Sequence, residues 1–188
     1  MGQTRHKQVK TQRGFTYSYS ASLAASGKPT LLFVHGFPAG SFLWRRQVPF
    51  FQQLGYGLIV PDLLGYGETD KPTDLTVYVG SGHAQDLVDI LDAEGVEQVV
   101  AIGHDWGVMP VSRLINYHPE RIAACSFLAG GYAPPLALGS DRISQHAQIK
   151  QAVGYDVWAY MRFLVQPDAA AIIEEHIDSF ISLIYPET

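Results

Sequence analysis

The sequence predicts an α/β fold whose mostly parallel sheet is covered by helices. Three observations carry that expectation. Short, near-continuous apolar runs recur through the first two thirds of the chain, amphipathic stretches of helical length separate them, and glycine or proline closes most runs. With 188 residues, 47% of them hydrophobic and 16% charged, the chain can bury a sizeable core. That composition excludes disordered, collagen-like and low-complexity classes.

Residues 10–20 alternate polar and apolar side chains, most clearly in Phe15-Thr16-Tyr17-Ser18-Tyr19, and read as antiparallel edge strands. Thr30–Val34 is a continuous buried strand closed by Gly36 and Pro38. Residues 42–54 have helical character and stop at Gly55, and 57–60 form a second buried strand ending at Pro61-Asp62. Within residues 74–94 an amphipathic helix places Leu87, Ile90 and Leu91 on one face, with Gly95 as its stop. Residues 99–102 are a third buried strand, 106–118 a helix, and 122–128 a fourth buried strand. In that last strand Cys125 reads as a small buried hydrophobe.

From Gly130 the texture changes. Gly130-Gly131-Tyr132-Ala133-Pro134-Pro135 breaks the chain, and the helical segments 143–153, 157–165 and 169–184 follow without another buried strand. The expected division is a core over residues 1–130 and a helical lid over 131–188.

Charge is unevenly spread. The first 61 residues hold seven of the 13 Lys and Arg and none of the 18 acids. These cations are scattered singly or in pairs without aromatic interleaving, so they read as a solvated face and not as a nucleic-acid footprint. No apolar run is long enough to cross a bilayer, and no secretory segment follows Met1. Met1-Gly2 opens like a myristoylation site, but His6 stands where Ser or Thr is wanted. One cysteine makes no internal disulfide, which suits a cytoplasmic setting. Neither metal-ligand spacing nor a phosphate-binding glycine loop occurs, so no cofactor is expected.

The chemistry lies in three motifs. Val99-Val100-Ala101-Ile102-Gly103-His104-Asp105-Trp106-Gly107 runs a buried strand into a sharp turn and a helix, with glycines two residues either side of Asp105. That layout exposes a nucleophile at the tip of a strained turn, and the following helix favours an anion there. Val34-His35-Gly36-Phe37-Pro38 follows the first buried strand. Pro61-Asp62-Leu63-Leu64-Gly65-Tyr66-Gly67-Glu68-Thr69-Asp70-Lys71-Pro72 forms a tight loop at a strand's C-terminal end, where open α/β sheets bind ligands.

Together these strings resemble the epoxide hydrolases of the α/β-hydrolase superfamily, most closely the soluble fungal and mammalian kind. The resemblance covers nearly all of residues 10–188, and Val157-Trp158-Ala159-Tyr160-Met161-Arg162-Phe163 looks like part of that family's cap. It implies that Asp105 attacks an epoxide carbon, with Tyr160, or alternatively Tyr155, holding the epoxide oxygen. The ester formed is then hydrolysed by water, its oxyanion held by the backbone N–H groups of Phe37 and Trp106. His35, Pro38 and Trp106 would border the pocket, with His35 ordering its loop, and the substrate would be a small apolar epoxide giving a vicinal diol.

The water-activating histidine and its partner acid find no match. His118 reads as a helix end, His146 and His176 fall in the lid, His104 points away from the elbow tip, and His6 and His83 read as exposed. The base, its acid and the second cap tyrosine are expected beyond Thr188. The strand over 122–128 would then show an unprotected edge open to association. A haloalkane dehalogenase is the nearest rival reading, though such enzymes commonly carry Asn where Phe37 stands. A non-catalytic binding module is the alternative of a different class. No Gly-x-Ser-x-Gly string supports a serine esterase.

Overall fold

A computed structural model describes residues 5–135 and 142–185. The chain divides into two compact units, Met1–Pro134 and Pro135–Thr188. Met1-Gly2 lies outside the described residues.

The first unit is built on six strands: β1 (Arg5–Lys10), β2 (Thr16–Ser22), β3 (Thr30–Val34), β4 (Gly57–Pro61), β5 (Val99–His104) and β6 (Ile122–Leu128). Their order across the sheet is β1-β2-β4-β3-β5-β6. The β1–β2 hairpin and the β2–β4 pair are antiparallel, whereas β4, β3, β5 and β6 run parallel. The period-2 segment over 10–20 supplies most of β2 at the antiparallel margin, the outermost strand β1 lies almost wholly before it, and the continuous apolar runs form the parallel centre.

Side-chain alternation on β3 sets up both halves of the core. Leu32 and Val34 face one side, where they join Ile59 and Ala101 under α2 (Gly80–Ala93) and α3 (Val108–Tyr117). Leu87, Ile90 and Leu91 of α2 and Val111 and Leu114 of α3 complete that cluster. Leu31 and Phe33 face the other side, with Leu58, Val60 and Trp44, beneath α1 (Gln47–Gln53). Phe33 stacks against Trp44 at 4.8 Å between ring centres. With β3 central and both faces covered, the loops at the C-terminal strand ends rest on rigid backbone.

Three local expectations change. The helical stretch after β3 is a 3-10 turn, Ser41–Trp44, followed by the short α1. β6 is, as expected, an unprotected edge strand of the described sheet, but its residues 123–126 are exposed, and Cys125 is an exposed free thiol instead of a buried one. An apolar run reveals strand character, but it cannot reveal how far its faces are covered.

His83 is the third change. It sits on α2 beside Tyr78, with ring centres 6.2 Å apart, and its Nδ1 is buried without a hydrogen-bond partner. Burial, helped by the Arg13 charge, lowers its pKa to about 4. The unfolded chain would hold that proton up to an ordinary pKa of about 6.5. Acid therefore favours unfolding, starting below about pH 6.5 and levelling off below about pH 4. Between pH 7 and pH 4, His83 should remove roughly 3 kcal/mol of stability. Urea midpoints at the two pH values, compared between wild type and His83→Leu, measure this. Equal pH dependence in the two proteins would contradict it.

The second unit consists of α4 (Arg142–Val153), α5 (Ala159–Leu164), α6 (Ala169–Glu175) and α7 (Ile177–Ile184). The expected continuous helix over 169–184 is interrupted at His176, which separates α6 from α7. No helix among the described residues is long and apolar enough to cross a membrane.

Candidate active site

β5 ends in a 3-10 turn, Asp105–Gly107, which opens directly onto α3. Asp105 has φ +52°, in the left-handed region that non-glycine residues avoid at a cost of about 1–3 kcal/mol. The turn can be this sharp because Gly107 lacks a side chain. A Cβ there would lie 2.4 Å from the Val34 carbonyl oxygen and 2.5 Å from that of His35. The elbow thus rests directly on the end of β3, and the first amides of α3 favour a carboxylate at its tip.

The loop after β3 meets the elbow from the other side. A Cβ on Gly36 would lie 2.5 Å from Asp105 Oδ1 and 2.6 Å from the Trp106 amide nitrogen, so only glycine permits this approach. The next residue, Phe37, donates its backbone N–H to Asp105 Oδ1 at 2.9 Å, and the Phe37–Pro38 peptide is cis. One carboxylate oxygen is therefore held by the loop. An amide so placed can also stabilise negative charge that builds on that oxygen.

His35, expected to order the loop and to border the pocket, is fully buried. Its Nε2 accepts the Leu63 N–H at 2.9 Å, and its Nδ1 faces the Gly36 carbonyl oxygen at 3.0 Å. Burial lowers its pKa, opposed by the Gly36 carbonyl and the Asp62 charge. Both nitrogens are committed to backbone, so the imidazole presents no free atom to a ligand.

The loop after β4 contributes two residues that sequence reasoning passed over. The buried Asp62 carboxylate accepts the Ser41 N–H at 2.7 Å, while its own backbone carbonyl accepts the Thr69 hydroxyl at 2.7 Å. Tyr66 packs edge-on against the His35 ring at 4.7 Å. Its phenol pKa is raised by burial and then by the Asp105 charge, which places it in the electrostatic reach of the elbow. The only signal for either in the sequence was a glycine-rich loop at a strand end.

Asp105, Gly36, Phe37 and the Trp106 backbone are thus brought together, with His35 and Tyr66 behind them. Tyr160 lies on α5 in the second unit and is 39% exposed, and Tyr155 precedes that helix and is 64% exposed. The other histidines of the first unit sit elsewhere. His104 packs against Trp44, His118 lies 3.6 Å from Glu120 at the far end of α3, and the exposed His6 meets Glu68. His176 is exposed between α6 and α7. His146 falls within α4, and its side chain is outside the described residues. Among the described residues no group of three His, Cys, Asp or Glu side chains could hold a metal ion.

The sequence profile of the alpha/beta hydrolase fold matches residues 29–165. The chain belongs to the α/β-hydrolase fold family. Within that family it is 42% identical over 96 residues to Epoxide hydrolase 2 of Siraitia grosvenorii, covering 51% of this chain and 30% of the relative. It is 31% identical over 157 residues to an Epoxide hydrolase of Caballeronia sordidicola, covering 84% and 46%. The crystal structure of an epoxide hydrolase from Vigna radiata superimposes with a TM-score of 0.79 at 27% identity. That match covers 97% of this α/β-hydrolase chain and 57% of the other. The chain spans about a third of the length of the first curated relatives.

Proposed function

We infer that this chain carries the nucleophile half of an epoxide hydrolase. The observation that carries the reading is Asp105 at a strained elbow tip with Oδ1 held by the Phe37 amide. A carboxylate needs no base for attack at a saturated carbon, because it is already ionised at neutral pH. With Oδ1 engaged, Oδ2 attacks the epoxide carbon, and the carbon–oxygen bond opens to an alkoxide. Tyr160, or alternatively Tyr155, hands that alkoxide a proton from the helical unit, read as a cap. In the ester, Oδ1 is the carbonyl oxygen. Water adding at Cγ puts the new negative charge on Oδ1, facing the amides of Phe37 and Trp106, and its collapse releases a vicinal diol and restores Asp105.

The names of the relatives support an epoxide as substrate, and the apolar ring of Phe37 beside the elbow suits one bearing a hydrophobic group. The water needs a general base and an orienting acid. This reading places both outside the described residues. A free exposed thiol at Cys125 fits a reducing compartment such as the cytoplasm.

Styrene oxide tests the reading. Incubated with the chain, it should add one equivalent of mass, mapping to Asp105 and absent from Asp105→Ala. Absence of any adduct on Asp105 would refute the nucleophile assignment. Halide release from a haloalkane, without an epoxide adduct, would favour the dehalogenase reading.

A further inference from the structure

We propose that His35 is a positioning residue: as a neutral imidazole protonated at Nδ1, it links the 62–67 loop to the Phe37 amide that holds Asp105. The proposal rests on the nucleophile reading above only for its chemical consequence. Its structural content stands on four contacts. The Leu63 N–H donates to Nε2, so Nε2 must be bare. The proton then sits on Nδ1, the nitrogen facing the Gly36 carbonyl oxygen. The carbonyl carbon of Gly36 forms the peptide bond to Phe37 N, so fixing that carbonyl fixes the plane that aims the Phe37 N–H at Asp105 Oδ1. Gly36 itself has no room to adjust, being wedged against Asp105, His104 and Trp106.

The surroundings keep the ring in that one state. Tyr66 closes one side edge-on, the residue is fully buried, and Asp62 is the charged group that faces it. An imidazole with exchanged tautomer would point two N–H groups at each other across the Leu63 contact and two acceptors at each other across the Gly36 contact. One tautomer therefore satisfies both loops, and the other satisfies neither.

Two substitutions separate the two bonds. Asparagine at 35 can place an NH2 where Nδ1 was, and glutamine can place an acceptor oxygen where Nε2 was. In His35→Gln the Leu63 amide should keep its hydrogen-exchange protection, while the Phe37 amide exchanges about tenfold faster or more. In His35→Asn the pattern should reverse. A role in stability alone would move both amides together in both variants. Asp105 modification by styrene oxide should slow at least about tenfold in His35→Gln and stay within about threefold in His35→Asn.

A measurement on the wild type needs no variant. Nitrogen-15 spectra should show His35 protonated at Nδ1, with scalar coupling across the hydrogen bond from Leu63 N to Nε2. A ring protonated at Nε2, or Phe37 protection unchanged in His35→Gln, overturns the proposal. Amide exchange does not depend on epoxide chemistry. An unmodified Asp105 in wild type thus defeats the epoxide reading alone, and a wrong tautomer defeats the His35 role alone.

Discussion

Gly107→Ala is expected to destabilise the first unit by about 3 kcal/mol and to slow modification of Asp105 by about a hundredfold or more. The added methyl would meet the carbonyl oxygens of Val34 and His35 at 2.4 and 2.5 Å. Neither is the end of a flexible side chain. Both belong to the last turn of backbone in and after β3, whose neighbours β4 and β5 are hydrogen-bonded to it on either side. β3 therefore cannot retreat, and the elbow must lift instead. Lifting it carries Asp105 away from Phe37, so the 2.9 Å bond to Oδ1 is lost together with the φ that only tight packing sustains. A displacement near 1 Å is enough for a rate loss of about a hundredfold. Gly131→Ala is the control, because nothing lies within 4 Å of its added Cβ. Urea midpoints and adduct rates for the two variants decide the matter, and a Gly107→Ala protein with wild-type values for both would show that the elbow does not rest on β3.

How much of this was legible beforehand differs between framework and site. The runs at 30–34, 57–60 and 99–102 could be read as central strands because strands covered on both faces need no polar alternation. The hairpin at the margin was legible for the opposite reason, its alternating texture. The unprotected edge of β6 was legible, but the exposure of Cys125 on it was not, because burial of a side chain depends on what covers the strand and not on its own apolar character. His83 misled for a related reason. Glycine and serine precede it in Gly80-Ser81-Gly82, and nothing in that string shows what packs against the helix start. Gly82 allows close approach, for a Cβ there would meet the Arg13 guanidinium at 2.4 Å.

At the site, glycine spacing revealed the elbow, since backbone strain leaves a trace in residue type. The links between loops leave no such trace. The partner of His35 is 28 positions away, at Leu63, and is a backbone amide that any residue but proline would supply. Tyr66 and Asp62 lay inside a string that announced a loop on the ligand side of the sheet, but nothing in it singled out either side chain. Motifs therefore reported where chemistry could occur, and the structure was needed to find what holds it in place.

The second large effect is expected far from the elbow, at Asp86. This carboxylate is wholly buried on α2, where its Oδ2 accepts from Arg13 Nη1 at 2.7 Å and from the Tyr17 hydroxyl at 2.9 Å. Burial raises the pKa of both acids, and the Tyr17 phenol is raised further by the Asp86 charge beside it. Arg13 also donates to the Val77 carbonyl, so one guanidinium ties the β1–β2 turn to the segment leading into α2. Asp86→Ala would leave a largely buried guanidinium and a buried phenol without their shared acceptor. Breaking such a pair by removing one partner costs about 3–5 kcal/mol. Asp86→Asn keeps an acceptor for Tyr17 but loses the charge opposite Arg13, and should fall between wild type and alanine. The double variant Arg13→Met with Asp86→Ala should recover part of the loss, because it removes the stranded cation as well. Denaturant midpoints for wild type, Arg13→Met, Asp86→Ala and the double variant form the cycle. Simple additivity of the two single changes would mean that the pair is solvated and that the hairpin is held to α2 by its other contacts, such as those of Gln12 with Asp89.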